Sequence, residues 1–230
     1  IRVCVLATIF CSPLVVTKLA VGQVKKTGEP KESAQAKTEA EAKSSPAALT
    51  MYSDAASYQN RQAFDLAADE WARFLTRFGD DPLAGKAHHY LGVCRMQLKQ
   101  HAEAIASFQT AIQKSPDSKG LEATYLNLGW CQFTLAGAEK PVLFADAAAT
   151  FGELISKFPK SRLADQAYFF QAESLYASGK QKEAALAYGK LVMGYEDSPL
   201  RADGLYALGV TLEEMSEWAQ ANRAYDMFLE

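Results

Sequence analysis

The chain has little of what reactive or nucleic-acid-binding proteins need. There are four cysteines and three histidines in 230 residues, with no ligand spacing for a structural zinc site. No glycine-rich phosphate loop and no nucleophile elbow occurs, so the sequence calls for no cofactor, no metal and no catalytic role. The only adjacent histidines, His88 and His89, would point about 100° apart on a helix and could not chelate together. Asp69 and Glu70 are likewise neighbours that do not face each other, so they read as a solvated face. No dense Lys/Arg block is present and the net charge is −3, which excludes the basic footprint of a nucleic-acid partner. Two-residue alternation of β-branched residues is nearly absent beyond the N-terminus. That excludes a sheet protein and leaves an all-α chain.

Length of apolar run is also limiting. Arg2 precedes Val3 to Val16, which is shorter than the roughly 20 residues that span a bilayer. Ala20 and Gly22 supply the small residues of a cleavage site, so residues 1–22 are expected to be a secretory signal. An uncleaved anchor is the rival, and membrane contact is expected only through this segment. Residues 23–48 carry five lysines and four glutamates between Gln23 and Lys43 and no aromatic. Such a stretch buries too little to offset its ordering entropy and is expected to be a disordered linker, either a spacer or a plain solvated segment.

What is there is a repeat. Trp71, Phe108, Phe151, Tyr188 and Tyr225 stand 37, 43, 37 and 37 residues apart. Four residues before each is an alanine: Ala67, Ala104, Ala147, Ala184 and Ala221. Ten residues after each of the first four is a residue of helix N-cap type: Asp81, Ser118, Ser161 and Ser198. A period this regular means stacked supersecondary units rather than one globular core. In the clearest unit, Gly92 and Ala104 are small where two helices must cross closely, Phe108 fills the space between pairs, and Pro116 ends the second helix. The third unit is six residues longer, with its extra residues expected between its helices at Ala136–Pro141. Cys94 and Cys131 occupy the same position of successive first helices. Packed helices sit about 8–10 Å apart, whereas a disulfide needs α-carbons within about 7 Å, so both are expected to be buried free thiols.

Small residues at positions 8 and 20, an aromatic at 24 and proline at 32 resemble the tetratricopeptide repeat signature. The resemblance covers residues 49–230, about five repeats with the last cut short, as an α-solenoid. The chain begins at Ile1 rather than Met and stops inside a second helix, so a longer protein is expected. The longer turns and the Phe158–Ser161 closure also resemble a bacterial envelope subgroup that includes the Tol–Pal coordinator and the β-barrel assembly lipoprotein. That likeness implies an exported protein, periplasmic or outer-membrane-associated.

In this family the first helices line a concave groove through positions 2, 5, 9 and 12. The resemblance therefore implies a partner-binding face that includes His89, Leu126, Trp130, Phe133, Phe169, Tyr176 and Tyr206, receiving a protein or peptide segment. A stripe at helical spacing can equally be core, so the aromatic residues have two readings here. The implied role is a non-catalytic interaction scaffold of the cell envelope. The alternatives are a structural subunit acting through convex or edge surfaces and an accessory region of a larger enzyme or receptor. The oligomeric state is not legible.

Overall fold

The computed structural model describes residues 43–118 and 120–229. Among them are ten α-helices and no strand: α1 Pro46–Asn60, α2 Phe64–Arg77, α3 Ala84–Gln97, α4 His101–Lys114, α5 Leu121–Ala138, α6 Leu143–Lys157, α7 Ala164–Ala177, α8 Gln181–Gly194, α9 Arg201–Glu214 and α10 Trp218–Leu229. They form five successive hairpins, each packed on the next, with contacts running in chain order from α1 to α10. The signal expectation for 1–22, and the linker as far as Ala42, fall outside the described residues. The helical stack opens at Pro46 rather than at 49. Ser45 caps α1, its Oγ accepting the Ala48 N–H at 3.2 Å, and Pro46 sits in the first turn, where its missing N–H costs nothing.

The anchors lie where their period placed them. Trp71, Phe108 and Phe151 are fully buried and Tyr188 nearly so. Each such ring contributes about 2–3 kcal/mol of burial. The glycines of the first helices are what let the hairpins close: a Cβ at Gly92 would stand 2.6 Å from Phe108 Cε1, and one at Gly129 2.8 Å from Phe151 Cε1. Trp71 also stacks on Tyr90 at 5.3 Å and donates its indole N–H to Gln59 Oε1 at 2.9 Å.

Two turn types repeat. Within hairpins, a left-handed residue reverses the chain after the first helix: Gln62, Lys99, Gly179 and Ser216, with φ between 62° and 79°. The third hairpin departs from this. Its additional residues do not all form the loop: α5 has 18 residues where α3 and α7 have 14, so Ala136–Ala138 belong to a lengthened helix and the turn shifts to 139–142. Between hairpins, the expected N-cap residues stand three residues ahead of the first helical residue. Asp81 Oδ1 accepts the Leu83 N–H at 2.9 Å, Ser161 Oγ the Leu163 N–H at 3.1 Å, and Ser198 Oγ the Leu200 N–H at 3.2 Å. The same side chains tie each turn to the hairpin before: Ser44 Oγ donates to Asp81 Oδ1 at 2.6 Å, Ser161 Oγ to the Glu122 carboxylate, and Ser198 Oγ to Asp165 Oδ2 at 2.7 Å. Ser118 is the exception, since α5 starts after Gly120 at φ 90°.

Cys94 and Cys131 are free and buried, in agreement with the spacing argument. Burial pushes the Cys94 thiol up to about 12 and the Cys131 thiol higher still, so both are inert apolar fillers.

Candidate partner-binding groove

The first helices of neighbouring hairpins also approach one another, α3 with α5 and α5 with α7. With the Tyr176–Glu214 hydrogen bond joining α7 to α9, that places α3, α5, α7 and α9 along one wall of the stack. Along this wall the residues at the four family positions are mostly half-buried: Lys86 and His89 on α3, Ala123, Leu126, Trp130 and Phe133 on α5, Gln166, Glu173 and Tyr176 on α7, and Asp203, Tyr206 and Val210 on α9. A half-buried residue on a helix face is held by its neighbours and still presents an edge outward, which is what a preorganised binding wall requires.

Phe169 is the correction. It is 8% exposed, set edge-on to Phe170 at 5.4 Å and to Tyr188 at 6.3 Å. It belongs to the seam between α7 and α8, packed between the rings of Phe170 and the anchor Tyr188. Val93 and Met96 are drawn in the same way into the cluster around Phe108.

The other six residues stand on the wall, five of them with a scaffold contact. His89 Nδ1 lies 2.8 Å from Thr124 Oγ1, joining α3 to α5, and burial pulls its pKa down to about 4, so the ring is neutral. It borders a cleft of about 30 Å³ between α3 and α5, room for one water-sized group. Leu126 lies one turn before Trp130. Trp130 packs on the Phe108 cluster and edge-on to His101 at 5.4 Å, with its indole nitrogen enclosed and unpaired. Phe133 is wedged between Phe144 at 5.5 Å and Phe170 at 5.8 Å. Tyr176 donates its hydroxyl to Glu214 Oε1 at 2.8 Å, bridging α7 and α9. Tyr206 leans on Tyr225 and Phe228.

The family positions gather Glu173, Asp203, Glu213 and Glu214 at the α7–α9 end of the wall, opposite Lys86 and His89, and the structure adds the tyrosines that pair with two of them. Tyr188 donates to the half-buried Glu173 carboxylate, and Tyr225 to Glu213 Oε2 at 2.9 Å. Burial raises the Glu173 carboxyl above its ordinary range, opposed by the Tyr188 hydrogen bond and reinforced by Asp203. Burial raises Asp203 as well. The readable signal was the change of anchor from Trp or Phe to Tyr in the last two hairpins. A buried phenol needs an acceptor, and glutamates stand on the facing first helices. A surface depression of about 440 Å³ lies elsewhere, on α1 and α2 among Tyr58, Leu66, Asp69, Glu70 and Arg73. It is walled by exposed charged side chains and has no set of converging groups.

The model of the tetratricopeptide repeat matches residues 52–119 and 143–199, more than half of the chain. The chain belongs to the tetratricopeptide repeat family. No curated protein matches it. Among solved structures it is similar to MamA 41–end from Desulfovibrio magneticus RS-1, with 11% identity, a TM-score of 0.65, and coverage of 80% of this chain and 94% of that one. It is also similar to YrrB, described as a tetratricopeptide repeat protein with an unusual peptide-binding site, with 19% identity, a TM-score of 0.62, and coverage of 79% and 84%. At these identities the likeness is one of fold. The tetratricopeptide repeat fold is generally a non-catalytic interaction module, and it gives this chain the coarse character of a protein–protein interaction scaffold. Among the described residues no helix is long and apolar enough to cross a membrane.

Proposed function

We propose that this chain is an exported, non-catalytic scaffold of the bacterial cell envelope that seats a partner's polypeptide segment along the wall of first helices. The observation that carries the reading is the half-buried row Leu126, Trp130, Phe133, Tyr176 and Tyr206, held in register on three consecutive first helices. Its side chains are fixed by the scaffold, so binding costs little ordering on this side. A segment lying along the wall meets apolar and aromatic groups at α5, then tyrosines and carboxylates at α7 and α9. YrrB, a structural neighbour named for a peptide-binding site, supports this mode of use. The envelope assignment rests on the N-terminal segment and the turn pattern alone.

The test is capture from envelope extracts followed by affinity measurement on the captured partner. Tyr176→Ala combined with Tyr206→Ala is expected to weaken binding about tenfold, roughly 1–2 kcal/mol, with an unchanged circular dichroism spectrum. Unchanged affinity would sink the groove reading. A second reading has its own observation. Leu186 and Met193, one heptad apart on α8, are each 70% exposed, which suits a subunit docking through its outer surface. Under that reading, Leu186→Ser with Met193→Ser would lose the partner while the tyrosine variant kept it.

A further inference from the structure

The joint between the second and third hairpins, α4 against α5, is built differently from the joints on either side of it. At the others, a large apolar side chain three residues after the anchor stands in register with a small residue on the next first helix: Phe74 with Ala87, Leu154 with Ala167 and Leu191 with Gly204, all of them buried. The fit is close, since a Cβ on Gly204 would stand 2.7 Å from Leu191 Cδ2. At α4–α5 the sizes are reversed, Ala111 with Thr124. Thr124 sets its hydroxyl 2.8 Å from His89 Nδ1, so one polar bond stands where the other joints have an apolar contact.

Two further ties are missing at the same end. Seven residues after the anchor, Phe78, Phe158 and Tyr195 meet rings of their own hairpins, Phe74 at 5.6 Å, Tyr125 at 6.2 Å and Tyr168 at 5.9 Å. The second hairpin has Ser115 there, so near α3 that a Cβ on Gly85 would stand 1.9 Å from Ser115 Oγ. Gly85 in turn occupies the place of Glu122 and Asp165, the carboxylates that hold Ser161 and Ser198, and so offers Ser118 none. The cleft of about 30 Å³ among Gly85, His89, Ala111, Ser118 and Thr124 is what these small residues leave. The opposite end of the joint is packed: Val93, Met96 and Phe108 close on Leu128 and Cys131 of α5, with Trp130 against them.

We infer that the stack bends at the α4–α5 joint: residues 43–114 swing as a block against residues 121–229, turning about the Phe108 cluster and opening between His89 and Thr124. A joint opens where few apolar contacts and a replaceable hydrogen bond close it, and it turns about whatever stays packed. The swing changes how far α3 stands from α5. It leaves the row from Leu126 to Tyr206 in register, because that row lies wholly on the second block. The hinge is a property of the free protein and holds whether or not the wall seats a partner.

The test is double electron–electron resonance on the full chain, with nitroxides carried by noncanonical amino acids so that the native cysteines are untouched. The labels stand at Thr76, Gln113, Ser156 and Met193, exposed residues five after successive anchors. The Gln113–Ser156 distance distribution is expected to be about twofold broader than those of Thr76–Gln113 and Ser156–Met193, which span the neighbouring joints. Ala111→Leu with Thr124→Ala writes the Leu–Ala pair of the next joint into this one. It is expected to narrow Gln113–Ser156 to the width of its neighbours with unchanged helicity. The reverse exchange, Leu154→Ala with Ala167→Thr, is expected to broaden Ser156–Met193, and it decides the matter should the first pair fail to fold. Equal widths at the three joints overturn the inference. So does a width that stays the same at a joint whose pair has been exchanged.

Discussion

The two halves of the first-helix wall use the same repeat positions in opposite ways. On α3 and α5 the side chains turn into the scaffold: Met96 is 7% exposed, Trp130 lies on the Phe108 cluster, and Phe133 is clasped by two phenylalanines. On α7 and α9 the matching side chains include a tyrosine and carboxylates held by hydrogen bonds, Tyr176 with Glu214 across the wall and Glu213 with the anchor Tyr225 of α10. Apolar contacts made inside the stack are lost only by unfolding it. Hydrogen bonds at its surface exchange for water or for a ligand at small net cost. The first half therefore offers a partner a fixed apolar surface that also holds the stack together, and the second half is where a partner can rearrange contacts without melting it.

The largest difference should appear in truncations. Phe133→Ala is expected to cost about 2–3 kcal/mol, below the full-burial range because the ring keeps an outer edge, whereas Tyr176→Ala should cost less than about 1 kcal/mol. Urea unfolding monitored by circular dichroism measures both, and equal losses would break the comparison. Next comes pH. His89 refuses a proton in the folded chain that the unfolded chain accepts near 6.5. Its contribution to stability is complete above that value and is lost as pH falls towards about 4, so His89→Gln should flatten this acid limb. Glu173 runs the other way. Its raised carboxyl keeps a proton that the unfolded chain releases near 4.5, so stability is present below that value and lost as pH rises through the raised one. Glu173→Gln should therefore gain stability near neutrality, read by thermal melts from pH 4 to 7.

A smaller contrast lies in the glycines. An added methyl at Gly129 strikes the fully buried Phe151, and one at Gly209 would stand 2.3 Å from Tyr225 Cε1, but Tyr225 is half-buried and can move outward by giving up its exposed hydrogen bond to Glu213. With about 1 kcal/mol of helix propensity gained in each, Gly129→Ala should lose about 1 kcal/mol net and Gly209→Ala close to none. The smallest effect is Tyr176→Phe, which removes one exposed hydrogen bond and should change stability by less than about 0.5 kcal/mol. A larger loss would mean that the α7–α9 half is structural too.

The hairpins, the anchors and the buried thiols were legible because each follows from a spacing: a ring every 37 residues, a small residue four before it, and cysteines in matching first-helix positions. The lengthened α5 was not legible, because Ala136-Gly137-Ala138 suits a loop as well as one more helical turn, and packing against α6 decides between them. Phe169 was misread because the family position fixes the face of a helix, whereas Tyr188 and Phe170 determine how far that ring is drawn in. Asp81, Ser161 and Ser198 were recognised as caps, but their second bond to the preceding hairpin is a contact 33 to 39 residues away that no local pattern carries.

The central claim is that the first-helix wall seats a partner segment. The direct measurement is site-specific photocrosslinking in envelope extracts, with the reactive side chain placed in turn at Leu126 and Val210 on the wall and at Leu186 and Met193 on α8. The account predicts one shared adduct from the two wall positions and none of it from α8. An adduct that forms from Leu186 and Met193 but not from Leu126 or Val210 would contradict it.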